Sequence, residues 1–150
     1  MKDFILKKMA AAILPFIFIY GFYVILHGHV SAGGSFAGGI IVGLSLIAYS
    51  TIYGLKEGQR KIPEKVLVYM ESFGTLWYIL MGLVGIALGA PFLANKLAGI
   101  PLGTQGALFS GGLISLIGFG VGLRVASTVI TLFFTIMEDE DENTSETKER

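Results

Sequence analysis

Four long apolar stretches, interrupted by only two charges, constrain this chain more than any other feature. They run roughly from Met9 to Leu26, Ser35 to Tyr53, Val66 to Leu88 and Ala107 to Met137, and the two charges are Glu71 and Arg124. Each stretch reaches or approaches the ~20 apolar residues that an α-helix needs to cross a ~30 Å hydrocarbon core. In lipid only helices and closed barrels satisfy their backbone polar groups, and these runs are continuous rather than alternating. A soluble helical bundle would need a polar face on every helix, and those faces are missing. The sequence therefore predicts an all-α membrane protein with four transmembrane helices.

With 150 residues there is room for one four-helix membrane domain, over 1–137, and no separate soluble domain. The segment Glu138 to Arg150 (EDEDENTSETKER) has no apolar residue, so it is expected to form a disordered acidic tail. The formal charge is zero but unevenly spread, and cysteine is absent. That excludes thiolate-held iron–sulfur clusters, disulfides and thiol catalysis within the chain. No cofactor is expected here, and any redox chemistry belongs to a partner.

Lys7 and Lys8 ahead of an apolar run imitate a signal peptide, but the run is too long for a typical one and no small-residue cleavage site follows cleanly. It reads as a retained first helix. Lys2, Lys7 and Lys8 flank that helix, and Lys56, Arg60, Lys61 and Lys65 crowd the second loop. The first loop, His27 to Gly34, has no Lys or Arg, and the third, Phe92 to Gln105, has only Lys96. Loops rich in Lys and Arg stay cytoplasmic. Both termini and the second loop are expected inside, in a multi-pass protein of the cell membrane.

Small residues mark where helices touch, because close backbone approach drives packing in lipid. Ser35, Gly39 and Gly43 recur at spacing four, as do Gly118, Gly122 and Ala126, and the third stretch offers Gly82, Gly85 and Gly89. This exceeds what four helices need for each other and suggests packing among further membrane chains. The fourth stretch would span ~46 Å as one straight helix. It must tilt, project or break, and the Gly111-Gly112 pair is its weak point, since glycine costs about 1 kcal/mol against alanine in a helix.

Candidate chemistry is sparse. Glu71 and Arg124 are candidates for an ion path or for pairing between subunits, because charges inside a membrane are expensive and functional. Counted from the cytoplasmic ends, they differ in depth by ~10 Å. That leaves an internal pair, partners in other chains, or a cation entry at Glu71, and the mismatch favours partners in other chains. His27 and His29 are two apart, which suits a metal poorly on a helix, and no metal site is expected. Ser110, Ser115, Ser127, Thr128 and Thr131 are weak sodium ligands, since such residues usually bond their own backbone.

The first loop, Gly28-His29-Val30-Ser31-Ala32-Gly33-Gly34-Ser35-Phe36-Ala37-Gly38-Gly39, resembles the G-H-x-x-P-G-G-G-F-x-G-G signature of the MrpB/MnhB family, the second of the subunit types of Mrp-type sodium/proton antiporters. His29, Gly33, Gly34, Phe36, Gly38 and Gly39 carry the match; Ala32 replaces the proline and Ser35 the third glycine. Gly89-Ala90-Pro91-Phe92-Leu93 and Leu102-Gly103-Thr104 resemble its second half, so the likeness covers residues 4 to 137. Leu108-Phe109-Ser110-Gly111-Gly112 looks more like the archaeal branch, in which this subunit type is built into membrane-bound hydrogenases and sulfur-reducing complexes. The resemblance implies an accessory subunit that helps line or seal an ion path in a multi-subunit module exchanging sodium for protons. The implied partners are other membrane subunits, sodium ions, protons and the lipid bilayer, with no nucleic acid. Larger antiporter-like chains would carry the proton relays, and this chain is no enzyme by itself. The competing expectation is a membrane scaffold or assembly protein with no transport role.

Overall fold

The computed structural model of the chain describes 2–30, 33–89, 91–93 and 111–149, with side chains over 4–139 of these. All regular structure among the described residues is helical: α1 (Lys2–Leu26), α2 (Gly34–Tyr53), α3 (Leu55–Lys61), α4 (Glu64–Ala87) and α5 (Leu113–Glu149). Phe4–Leu26, Gly34–Tyr53, Glu64–Ala87 and Leu113–Asp139 are each long and apolar enough to cross a membrane. The expected third loop beyond Leu93, the Leu102-Gly103-Thr104 motif and the start of the fourth stretch at 107–110 lie outside the described residues.

The helices form a chain of neighbours rather than a closed bundle. Helix α1 packs on α2, and α2 and α4 each pack on α5; α1 touches α5 lightly, and α2 and α4 meet at most marginally. The α2–α5 seam is the two small-residue stripes laid against each other in parallel register. A Cβ on Gly39 would stand 2.5 Å from the Gly122 carbonyl oxygen, and one on Gly43 would stand 3.3 Å from that of Ala126. One on Gly118 would collide with the Ser35 hydroxyl. In lipid such backbone proximity replaces the hydrophobic drive that water supplies elsewhere. These stripes are consumed inside the chain, so they do not point to further subunits, as the sequence suggests. Gly38 faces the other way: its Cβ would lie 2.7 Å from the Ile25 nitrogen, in the α1–α2 seam.

Helix α4 is held differently, by side chains reaching across to backbone. The Ser127 hydroxyl donates to the Leu67 carbonyl at 2.6 Å, and the Trp77 indole N–H donates to that of Leu116 at 2.9 Å. Between these bonds a Cβ on Gly74 would lie 2.7 Å from the Gly120 carbonyl oxygen and 2.9 Å from the Arg124 Cβ. The two bonds and this contact fix the register of α4 along α5.

The lysine-rich end is closed by α3, which the apolar pattern does not announce. Gly54, at φ 107, turns the chain out of α2, and Gly58 presses on Ser50. Leu55 and Ile62 then cover the buried cluster of Leu67, Ile130 and Phe134. At the same end Tyr49 and Tyr53 stack, with Lys61 over one ring and Lys7 over the other. The Tyr53 hydroxyl also donates to the Lys7 carbonyl at 2.8 Å. Aromatic and lysine side chains of this kind sit where apolar body and polar tip find different solvents.

Helix α5 is unbroken. The Gly111-Gly112 pair precedes it as a turn, with Gly112 at φ 57, so the weak point marks its beginning. Its apolar part spans ~40 Å, longer than the core, so it projects or tilts. The expected disordered tail instead continues this helix to Glu149. Elongating a helix that already exists needs no new nucleus, and glutamate is a good helix former.

Candidate functional site

The glycine-rich first loop is a joint between three helices. Gly33 at φ 90 and Gly34 at φ 63 take the left-handed conformation in which glycine carries no Cβ penalty, and α2 starts directly from them. The buried Ser35 hydroxyl donates at 3.0 Å to the Ile25 carbonyl at the end of α1, which also accepts from the Gly28 N–H at 3.3 Å. Gly28 lies so close to Ser35 that any side chain there would collide with it. His29, half-buried, lies against Gly111 at the turn into α5, where a Cβ would meet its ring carbon Cγ at 3.1 Å. His27 turns instead toward its own helix, its Nδ1 3.2 Å from the Tyr23 carbonyl and its ring 4.2 Å from that of Tyr23. The two histidines therefore serve different neighbours. Among the described residues, no group of three or more His, Cys, Asp or Glu side chains could hold a metal ion. Phe36 is 57% exposed and faces away from the joint.

Two of the hydroxyls weighed as ion ligands serve backbone. Thr128 donates to the Arg124 carbonyl at 3.0 Å and Ser127 to that of Leu67. Ser115 differs from these two, buried with an Oγ that has no hydrogen-bond partner among the described residues. Ser110 lies outside the described residues.

Glu71 and Arg124 are closer in depth than the count from the helix ends predicts. Leu67 is level with Ser127, and Gly74 touches Arg124, so Glu71 and Arg124 lie within about one helical turn of each other. The predicted ~10 Å mismatch fails because depth depends on the register of α4 against α5, which the count cannot supply. The two charges nevertheless do not pair. Among the described residues the one ion pair is Arg60–Glu57, exposed and at 4.0 Å, a kind worth little. Glu71 is half-buried and Arg124 exposed. At mid-membrane depth such a charge costs at least ~2.5–3.5 kcal/mol if it faces lipid.

Two grooves separate α4 from α2, one on each side of α5. The first, of ≈280 Å³, is walled also by Phe18, Phe22 and Ile25 of α1, and its lining is apolar apart from Lys61 at the lysine-rich mouth. The second, of ≈570 Å³, has Phe36 and Ile40 on one wall, Gly74 and Tyr78 on the other, and Arg124 among the lining residues of α5. Sequence reasoning singled out the arginine but missed Gly74 and Trp77. The sole tryptophan of the chain, inside a span, carries an N–H that needs an acceptor, and that was the available signal.

Four apolar helices, packed through glycine and bridged by hydroxyl and indole donors, define a multi-pass membrane protein. Residues 5–131 match the family described as a domain related to the MnhB subunit of Na+/H+ antiporters. The B-type subunit of a Na(+)/H(+) antiporter from Bacillus subtilis is 30% identical over 139 residues, 93% of this chain and 96% of that one. A putative antiporter subunit mnhB2 from Staphylococcus saprophyticus is 25% identical over 135 residues, 90% of this chain and 94% of that one. An uncharacterized protein of Methanocaldococcus jannaschii is 26% identical over 135 residues, 88% of this chain but 51% of the longer relative. The chain belongs to the MnhB family of Mrp-type antiporter subunits.

Proposed function

We propose that this chain is an accessory subunit of a multi-subunit sodium/proton antiporter module, helping to line or seal an ion path carried mainly by larger partners. Family membership supports the assembly. The single observation that carries the accessory role is the scarcity of ionisable groups within the spans. Between the ends of the four apolar segments only Glu71 and Arg124 are charged, too few for a self-contained path across a ~30 Å core. Both ends and the α3 loop lie in the cytoplasm in this reading, on the strength of the lysines gathered there. The parent module is either free-standing or coupled to a redox complex such as a membrane-bound hydrogenase or sulfur reductase. The composition of Leu108 to Gly112 supports the coupled form.

Gentle solubilisation followed by native electrophoresis and identification of the co-migrating chains tests this reading. Larger antiporter chains at fixed stoichiometry are the expected result, and a nickel–iron subunit among them assigns the module to the redox-coupled branch. A chain that migrates alone would favour a free-standing scaffold. Single cysteines at Val30 and Lys61 should label from opposite sides of intact membranes, the first from outside.

A further inference from the structure

Arg124 lines the second groove with no acidic partner among the described residues: no carboxylate lies within 4.0 Å of its guanidinium. Thr128 is turned back to the backbone, Val129 and Leu132 continue the groove as apolar surface, and Glu71 does not line it. Arg124 is ~16 Å along α5 from its start at Leu113, and more helix follows before Asp139. Phosphate groups of lipids lie outside the hydrocarbon core, beyond the reach of an arginine side chain at this depth. Acyl chains offer it nothing.

We propose that the second groove seats a transmembrane helix of a partner subunit, and that an Asp or Glu on that helix pairs with Arg124. This rests on the reading of the chain as one subunit of a membrane assembly. Charge complementarity chooses the occupant. The one charged group in the groove's lining is a guanidinium, whose planar fork matches a carboxylate bidentately; the other polar side chains there are Tyr78 and Thr128, the latter bonded to backbone. Beside these helices, only another helix can bring a carboxylate to mid-depth with its own backbone satisfied. The walls fit such a guest: Phe36, Tyr78 and Leu132 are 57%, 37% and 57% exposed at the rim. An incoming helix covers those side chains as it delivers the charge.

The test uses the full complex in native membranes. A photoreactive benzophenone side chain at Ile40 or Leu132 should crosslink to one partner chain, with the mapped adduct within about two turns of an Asp or Glu in a membrane helix. The same probe at Phe16, on the outer face of α1, should not give that adduct. Arg124→Gln should lower co-purification with this partner roughly tenfold while the chain still inserts. Changing the partner's carboxylate to its amide as well should restore most of the loss, because a neutral pair leaves no uncompensated charge. Adducts only to lipid, to a second copy of this chain or to a helix without an acid would overturn the proposal. So would unchanged co-purification of Arg124→Gln, or no recovery in the double variant. If larger antiporter chains co-purify while the groove probe finds no helix, the docking inference fails and the subunit reading stands. A chain that migrates alone overturns both.

Discussion

The two grooves beside α5 share the same flanking helices and have opposite characters. On one side α1 leans in, and Phe18, Phe22 and Ile25 make a third wall against Leu123 and Ala126. On the other no further described helix arrives, and Arg124 lies in the open. The first groove is completed within the chain by apolar packing, which in lipid needs only shape. The second is left with a charge that shape alone cannot satisfy. The difference teaches that an incomplete membrane subunit is recognised less by its exposed apolar area than by one unmatched polar group. Exposed leucines and phenylalanines on α1 and α4 are ordinary against lipid; an exposed mid-membrane arginine is not.

Breaking the wall common to both grooves should have the largest effect. Gly39→Leu forces a side chain onto the Gly122 carbonyl, so α2 and α5 must separate along their whole seam. Overpacking costs typically about 1–3 kcal/mol and more where backbone must move. The chain should fail to accumulate in membranes, as judged by its level and its melting temperature in detergent. Gly38→Leu should do similar damage at the α1–α2 seam, against Ile25, so it damages the chain itself and not only the complex.

Next comes a change that makes the two grooves alike. Arg124→Leu renders the second as apolar as the first, so the isolated chain should melt no lower than the parent. Assembly should nonetheless fall roughly tenfold in native electrophoresis. A parallel fall in both quantities would mean that Arg124 stabilises its own chain.

Ser127→Ala removes one of the two bonds that set the register of α4 and should widen both grooves. The expected cost is about 0.6–2 kcal/mol, the range for hydrogen bonds between membrane helices, read as a lower melting temperature. The smallest effect belongs to Thr128→Val. Its hydroxyl serves only the backbone of its own helix, so stability and sodium dependence of transport should stay within experimental error. A lost sodium response would restore Thr128 as an ion ligand.

Much of this architecture was legible in the residues. The spans follow from apolar length, and the stripes at Ser35, Gly39, Gly43 and Gly118, Gly122, Ala126 were visible because spacing four puts residues on one helix face. That the two stripes meet each other was not, for periodicity names a face and not its neighbour. Glu71 and Arg124 stood out by rarity alone. Their relative depth was misjudged because it depends on the Ser127–Leu67 and Trp77–Leu116 bonds, contacts across 60 and 39 residues of sequence. Helix α3 escaped because seven residues rich in Lys, Glu and Gln carry no membrane signal, although Leu55 and Ile62 seal the end of the core.

By itself the sequence determined that the chain lives in a bilayer, how many times it can cross, and which two charges require an explanation. Transfer of backbone and charge into hydrocarbon costs so much that these follow from local composition. Only the tertiary structure decided which glycines close the chain upon itself and on which side of α5 the arginine is left open. Those outcomes depend on register and on the order of neighbours around α5. In lipid they are set by a few close backbone contacts and crossing hydrogen bonds, and the residues that make them lie far apart in sequence.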